Sequence, residues 1–208
     1  MPLITPDSPL YLASSNPGKL REFSAAALAR GIRVEPLPGF KSLPACIEDG
    51  NSFEENARKK ALHYSAFVSG AVFADDSGIS VDALGGAPGL FSARFAGPDA
   101  TDDENNLKLM EELGEADSRS TRAAHYLCVI ALAQGGRILC VTEGRADGVI
   151  LAEPRGKGGF GYDPYFYYAP LGMTFAELQP DEKYAVSHRG KAFRQLLDLI
   201  EHPTAKSS

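Results

Sequence analysis

The chain has 208 residues, with 21 Lys+Arg against 27 Asp+Glu and a formal net charge of −6. That balance argues against a general nucleic-acid binder, whose affinity comes mainly from basic side chains displacing condensed counterions. With 44% hydrophobic and 23% charged residues, the composition is that of a globular protein with a real core, in one large domain or two lobes.

Leu10 to Ala13 reads as a short apolar strand running into Ser14-Ser15-Asn16-Pro17-Gly18. A helix follows at once: Asn16 suits the cap, Pro17 the first helical position and Gly31 the end, and Leu20, Phe23, Ala27 and Leu28 share one face. A second helix is expected from Ser52, which forms a capping-box pattern with Glu55, through Phe53, Ala57, Ala61 and Tyr64. Ala71 to Ala74 reads as a buried strand, closed by the turn-like Asp75-Asp76-Ser77-Gly78. Thr101 and Glu104 make another capping box, opening a helix with Leu107, Met110 and Leu113 inward and Gly114 just beyond. Ala124 to Leu132, a Gln134-Gly135-Gly136 turn and Arg137 to Thr142 form a hairpin, so the sheet is expected to be mixed. The last helix is marked by Ser187 as cap and by the stripe Phe193, Leu196, Leu197 and Ile200, and Pro203 to Ser208 reads as a frayed tail.

The cysteines, Cys46, Cys128 and Cys140, are odd in number and far apart. They fit neither a disulfide framework nor a paired zinc motif and are expected as reduced, buried thiols. No basic residue precedes Lys19, and the longest mostly apolar run, Ala123 to Ala133, contains His125 and is too short to span a bilayer. A cytoplasmic protein with no membrane partner is expected.

Four segments carry residues suited to chemistry. Ser14 to Lys19 lies where a strand feeds a helix N-terminus, which favours an anion, and a lysine in a first turn is unfavourable unless it faces negative charge. As a plain capped turn the same segment would carry a solvated lysine, and its spacing is not that of a Walker motif. Glu48-Asp49-Gly50 precedes the second helix and Asp75-Asp76 closes a buried strand; two acids suffice for a Mg²⁺ site when phosphates supply the remaining oxygens. Strand alternation sends Asp75 and Asp76 to opposite sides, so one of them reaches a given ion. The glycine-rich stretches Gly85 to Gly89 and Gly156 to Pro164 let backbone approach a ligand, with Phe160 and Tyr162 as a stacking face and Asp163 as an acceptor. His188 and Arg189, at the start of the last helix, are donors suited to a base edge or a phosphate, but as an isolated pair they read better as surface residues.

Taken together, ASSNPGKLREF from Ala13, FEENARKKA from Phe53, FADDSG from Phe73, GGAPGLFSARFAG from Gly85, GGFGYDPYF from Gly158 and SHRGKAF from Ser187 resemble the inosine/xanthosine triphosphate pyrophosphatase family, from Leu12 to about Leu197. Ser14-Ser15 stands where some relatives have Thr-Gly. The resemblance implies an α/β fold, an elongated mixed β-sheet flanked by helices, forming one domain in two lobes with a central active-site cleft, usually as a homodimer. It implies Glu48 and Asp76 as Mg²⁺ ligands, with Asp76 also the proposed proton acceptor. Ser14, Ser15, Asn16, Pro17, Gly18 and Lys19 would hold the triphosphate with Lys60 and Ser77 nearby. Phe160, Gly161, Tyr162, Asp163, Lys183, His188 and Arg189 would enclose the base. The implied reaction cleaves between the α- and β-phosphates of inosine, deoxyinosine or xanthosine triphosphate. The alternatives are a nucleotide-binding or sensing module without turnover, and a related pyrophosphatase acting on other altered nucleotides.

Overall fold

A computed structural model describes residues 8–114 and 122–202; the expected tail from Pro203 to Ser208 falls outside them. The described strands form one sheet in the order β2-β1-β3-β4-β5-β6-β7. β1 (Leu10–Leu12) pairs in parallel with β2 (Val34–Pro36) and with β3 (Val72–Val81). β6 (Phe166–Tyr168) pairs antiparallel with β5 (Arg137–Ile150) and with β7 (Met173–Thr174). The sheet is therefore mixed, as expected. β4 (Ala123–Gln134) lies beside β5 and is joined to it by Gly135-Gly136 alone, a connection that only an antiparallel pair can make.

Two strands outrun their expected limits. β3 does not stop at Ala74 but carries Asp75, Asp76, Ser77 and Gly78 within it and continues through Ile79 and Val81. The turn-like composition of Asp-Ser-Gly is overridden because apolar residues on both sides hold the segment in the sheet. β5 runs on past Thr142 to Ile150. There Gly144 and Ala146 face inward between exposed Glu143, Arg145 and Asp147, a period of two disguised by small inward residues and charged outward ones.

The helices start where their caps place them. α1 (Pro17–Leu28) is capped by Asn16, whose Oδ1 accepts from the Gly18 and Lys19 amides at 2.8 and 3.1 Å. In α2 (Phe53–Ser65) Ser52 Oγ accepts from Glu55 N, but Glu55 reaches back to Asn51 N, one residue beyond the expected partner. α3 (Asp102–Leu113) has the complete Thr101–Glu104 box. α4 (Pro180–Val186) went unread in the sequence, and in α5 (His188–Glu201) the Gly190 amide donates to Ser187 Oγ. Two expected inward residues point outward: Leu28 is 70% and Leu107 61% exposed. Leu28 stands about 100° round from buried Ala27, and Leu107 about 200° from buried Leu109.

The described residues divide into two compact units. Among these, the first comprises residues 8–76, 128–144 and 191–202, the second 77–114, 122–127 and 145–190. In the first, Phe23, Phe73 and Phe193 are fully buried and meet pairwise, with ring centroids 4.6 to 5.5 Å apart; Ala57, Ala61 and Tyr64 of α2 pack on Val72 and Ala74. In the second, Ile79, Val81, Leu109, Leu113, Tyr126, Phe166 and Phe175 form the core. The cysteines are free thiols, but only Cys128 is fully buried; partial burial is enough to push the Cys140 thiol up to about 11.

Candidate active site

The first unit gathers charged side chains around the middle of β3. Asp75 and Asp76 diverge as strand alternation requires and meet different lysines. Asp75 pairs with Lys19 Nζ at 2.7 Å, and its side chain is 1% exposed. Lys19 is thus no solvated residue: α1 delivers it to a buried carboxylate. Asp76 Oδ1 accepts from Lys60 Nζ at 2.9 Å and its Oδ2 from Asn56 Nδ2 at 3.2 Å. Lys60 Nζ also donates to Glu48 Oε2 at 3.0 Å, so one ammonium is shared by the two acids read as metal ligands.

Three carboxylates therefore face two ammonium groups. Burial alone would depress Lys60, but Asp76, Asp75 and Glu48 outweigh it and hold its ammonium well above the ordinary lysine range. Burial raises Asp76, and Glu48 and Asp75 add to this against the pull of Lys60. The Lys60 shift reflects the three carboxylates around it, whereas the Asp76 shift comes first from burial and only secondarily from Glu48 and Asp75. Glu48 and Asp76 already converge on one positive charge through hard oxygen atoms, the donor set suited to Mg²⁺ when phosphates complete the shell. Among the described residues no group of three or more His, Cys, Asp or Glu side chains is placed to hold a metal ion.

The turn before α1 is more self-contained than its sequence implies. Asn16 N donates to Ser14 Oγ at 3.2 Å, and the Gly18 and Lys19 amides are taken by Asn16 Oδ1. The first turn holds no acid, so what it offers an anion is Lys19 and the positive end of the helix rather than a row of unclaimed amides.

The second unit holds the other expected residues. His188 and Arg189 are not a surface pair: they are 2% and 5% exposed, and the His188 ring stacks on Tyr126 with centroids 4.4 Å apart. Lys183 Nζ meets Asp163 Oδ2 at 2.7 Å, both side chains buried, and the same oxygen accepts from Phe160 N. Lys183 Nζ and Arg189 Cζ lie 4.8 and 5.0 Å from the Phe160 ring centre, and Arg189 Nη2 donates to Ser77 Oγ at 3.3 Å. Phe160 keeps its character as a stacking face. Tyr162 does not: its ring is in the core, its hydroxyl donates to Ser92 O, and burial raises its phenol above the ordinary range. Its apolar body fills the core better than it would a solvent-facing loop.

Sequence reasoning gave Asn56 no role, although Asn56 and Lys60, four apart on α2, share the face that meets Asp76. It also passed over Asp102 and Asn106 of α3, which bond the Gly161 peptide.

The fold is a mixed sheet flanked by helices; the first unit carries a pair of acids bridged by Lys60, and the second a phenylalanine ring flanked by two cationic side chains. The model of the Ham1 family matches residues 10–199. The chain is 48% identical over 187 residues to the dITP/XTP pyrophosphatase of Desulfotalea psychrophila, covering 90% of this chain and 82% of that one. It is 46% identical to that of Geobacillus kaustophilus, covering 90% and 91%. The structure of a HAM1 protein from Coxiella burnetii superimposes with a TM-score of 0.82 at 44% identity, over 92% of this chain and 98% of that one. The chain belongs to the Ham1 family.

Proposed function

We propose that this protein hydrolyses non-standard purine nucleoside triphosphates, ITP, dITP and XTP, to the monophosphate and pyrophosphate, and so clears deaminated purines from the nucleotide pool. What carries this is the sharing of Lys60 by Glu48 and Asp76, together with relatives named dITP/XTP pyrophosphatase along most of the chain. The phosphate chain falls to residues 14–19 and Lys60 of the first unit. The base falls to Phe160, Gly161, Asp163, Lys183, His188 and Arg189 of the second, with Tyr162 contributing through its backbone. Ser77, bonded to Arg189, is joined to Asp76 by a peptide bond, and the two units act as parts of one domain.

Glu48 and Asp76 would hold Mg²⁺, which when bound supplies charge neutralisation at the phosphate oxygens. Lys19 and Lys60 add positive charge that favours the transition state of phosphoryl transfer. Water attacks the α-phosphorus, the bond from that phosphorus to the α–β bridging oxygen breaks, and pyrophosphate leaves. Asp76 orients the water and takes its proton. Base choice follows from donors: hypoxanthine and xanthine offer an acceptor oxygen at C6 where adenine offers an amine. Opposing that amine to Arg189 or His188 leaves buried donors unpaired at about 1 to 3 kcal/mol.

The protein is further proposed to act in the cytoplasm as a homodimer; no helix among the described residues is long and apolar enough to cross a membrane. Purified protein given ITP and Mg²⁺ is expected to release pyrophosphate, and to stop on addition of a chelator. Release of inorganic phosphate alone, or tight binding without turnover, sinks the proposal and favours the sensing module; preference for other altered bases in a substrate panel favours the related pyrophosphatase.

A further inference from the structure

Gly161, in the loop that carries Phe160, has φ +63°, a left-handed conformation that glycine adopts freely and therefore holds weakly. Both polar groups of this residue are nevertheless fixed from α3. Its N–H donates to Asp102 Oδ2 at 2.6 Å, and its carbonyl accepts from Asn106 Nδ2 at 2.9 Å. The helix that does this is itself well seated: Leu109 and Leu113 are in the core, Asn105 Oδ1 accepts from Ala96 N at 2.8 Å, and Asn105 Nδ2 donates to Ala93 O.

Asn106 is a poor choice for stability alone. It is 6% exposed, yet its Oδ1 is buried with no hydrogen-bond partner among the described residues, a state that costs free energy. Its orientation is fixed because only the Nδ2 side can meet a carbonyl. What the residue secures is the Gly161 peptide, and with it the Phe160 ring, which must stay near Lys183 and Arg189.

We infer that Asp102 and Asn106 are positioning residues for base recognition, holding the Gly161 peptide so that Phe160, Lys183 and Arg189 keep the geometry that receives the purine. This rests on the proposal that the second unit takes the base. Inorganic tripolyphosphate, which has no base, serves as the control ligand, used as a competitive inhibitor.

Asn106→Ala is expected to raise the KM for ITP about tenfold, the loss of roughly one hydrogen bond's worth of placement, with kcat little changed and the Ki of tripolyphosphate unaltered. Asp102→Ala, at an exposed helix start, is expected to act in the same direction and serves if the Asn106 variant does not fold. Asp102→Asn keeps an acceptor oxygen and is expected to restore the wild-type KM. A KM that does not move in either alanine variant, or a KM and a Ki that rise together, overturns the inference while leaving the ITP reaction intact. A wild-type protein that neither binds nor hydrolyses ITP overturns both.

Discussion

Asp75 and Asp76 are chain neighbours with unlike tasks, and their substitutions should separate. Asp76→Asn is expected to lower turnover at least about hundredfold, the scale of a lost general base, with an unchanged circular dichroism spectrum. A variant with near-normal rate would remove Asp76 as base or metal ligand. Lys19→Ala does more than weaken phosphate binding, because it strands the buried Asp75 carboxylate. It should cost about 3 kcal/mol in denaturant unfolding. Adding Asp75→Asn should recover most of that stability while phosphate binding stays weak, and recovery of both would refute the phosphate role. A third residue sets a pH response. Burial and then Arg145 lower His125 from its ordinary 6.5, against Asp147 and Asp82. Below pH 6.5 the unfolded chain takes up this proton before the native one does, so stability present above that value is lost as pH falls through the lowered one. His125→Gln should flatten the melting temperature between pH 7 and 5, and an unaltered slope would assign the loss to other groups. Lys19 could be singled out from its own short segment, whereas the choice of Glu48 over Asp49 and of Asp76 over Asp75 came from the family resemblance. The partners Asn56 and Asp102 could not be singled out, since what they touch is set by the sheet rather than by neighbours in sequence.

At the scale of elements, local signals served best where they needed no tertiary help. Asn16, Ser52, Thr101 and Ser187 mark helix starts through side-chain bonds to amides two or three residues on, a pattern visible in any linear text. Strand limits were harder: β3 crosses Asp-Asp-Ser-Gly and β5 crosses Glu-Gly-Arg-Ala-Asp, where pairing with adjacent strands outweighs propensity. β6, β7 and α4 were missed because they are short and carry no periodicity. The stripe of α5 was plain, and Phe193→Ala, which removes a fully buried ring touching Phe23 and Phe73, should cost about 3 to 5 kcal/mol in chemical denaturation. A loss below about 1 kcal/mol would show that the site collapses around the gap.

For the molecule as a whole, the mixed sheet was legible because a glycine hairpin forces one antiparallel pair while the strand-turn-helix at Ser14 to Lys19 suits a parallel one. The division of the chain was not, since no linker or change of composition marks it: the boundaries fall inside β3, β4, β5 and α5. The proposed homodimer should appear in sedimentation equilibrium as twice the 22.2 kDa chain mass, and a single-chain mass at micromolar concentration would exclude it. The interleaving has a consequence for biosynthesis. Because the first unit is completed only by Lys191 onward, a nascent chain still tethered to the ribosome before that point lacks the Phe193 ring that packs on Phe23 and Phe73. Maturation is therefore a late, nearly all-at-once event, and chaperone demand should peak just before α5 emerges from the exit tunnel.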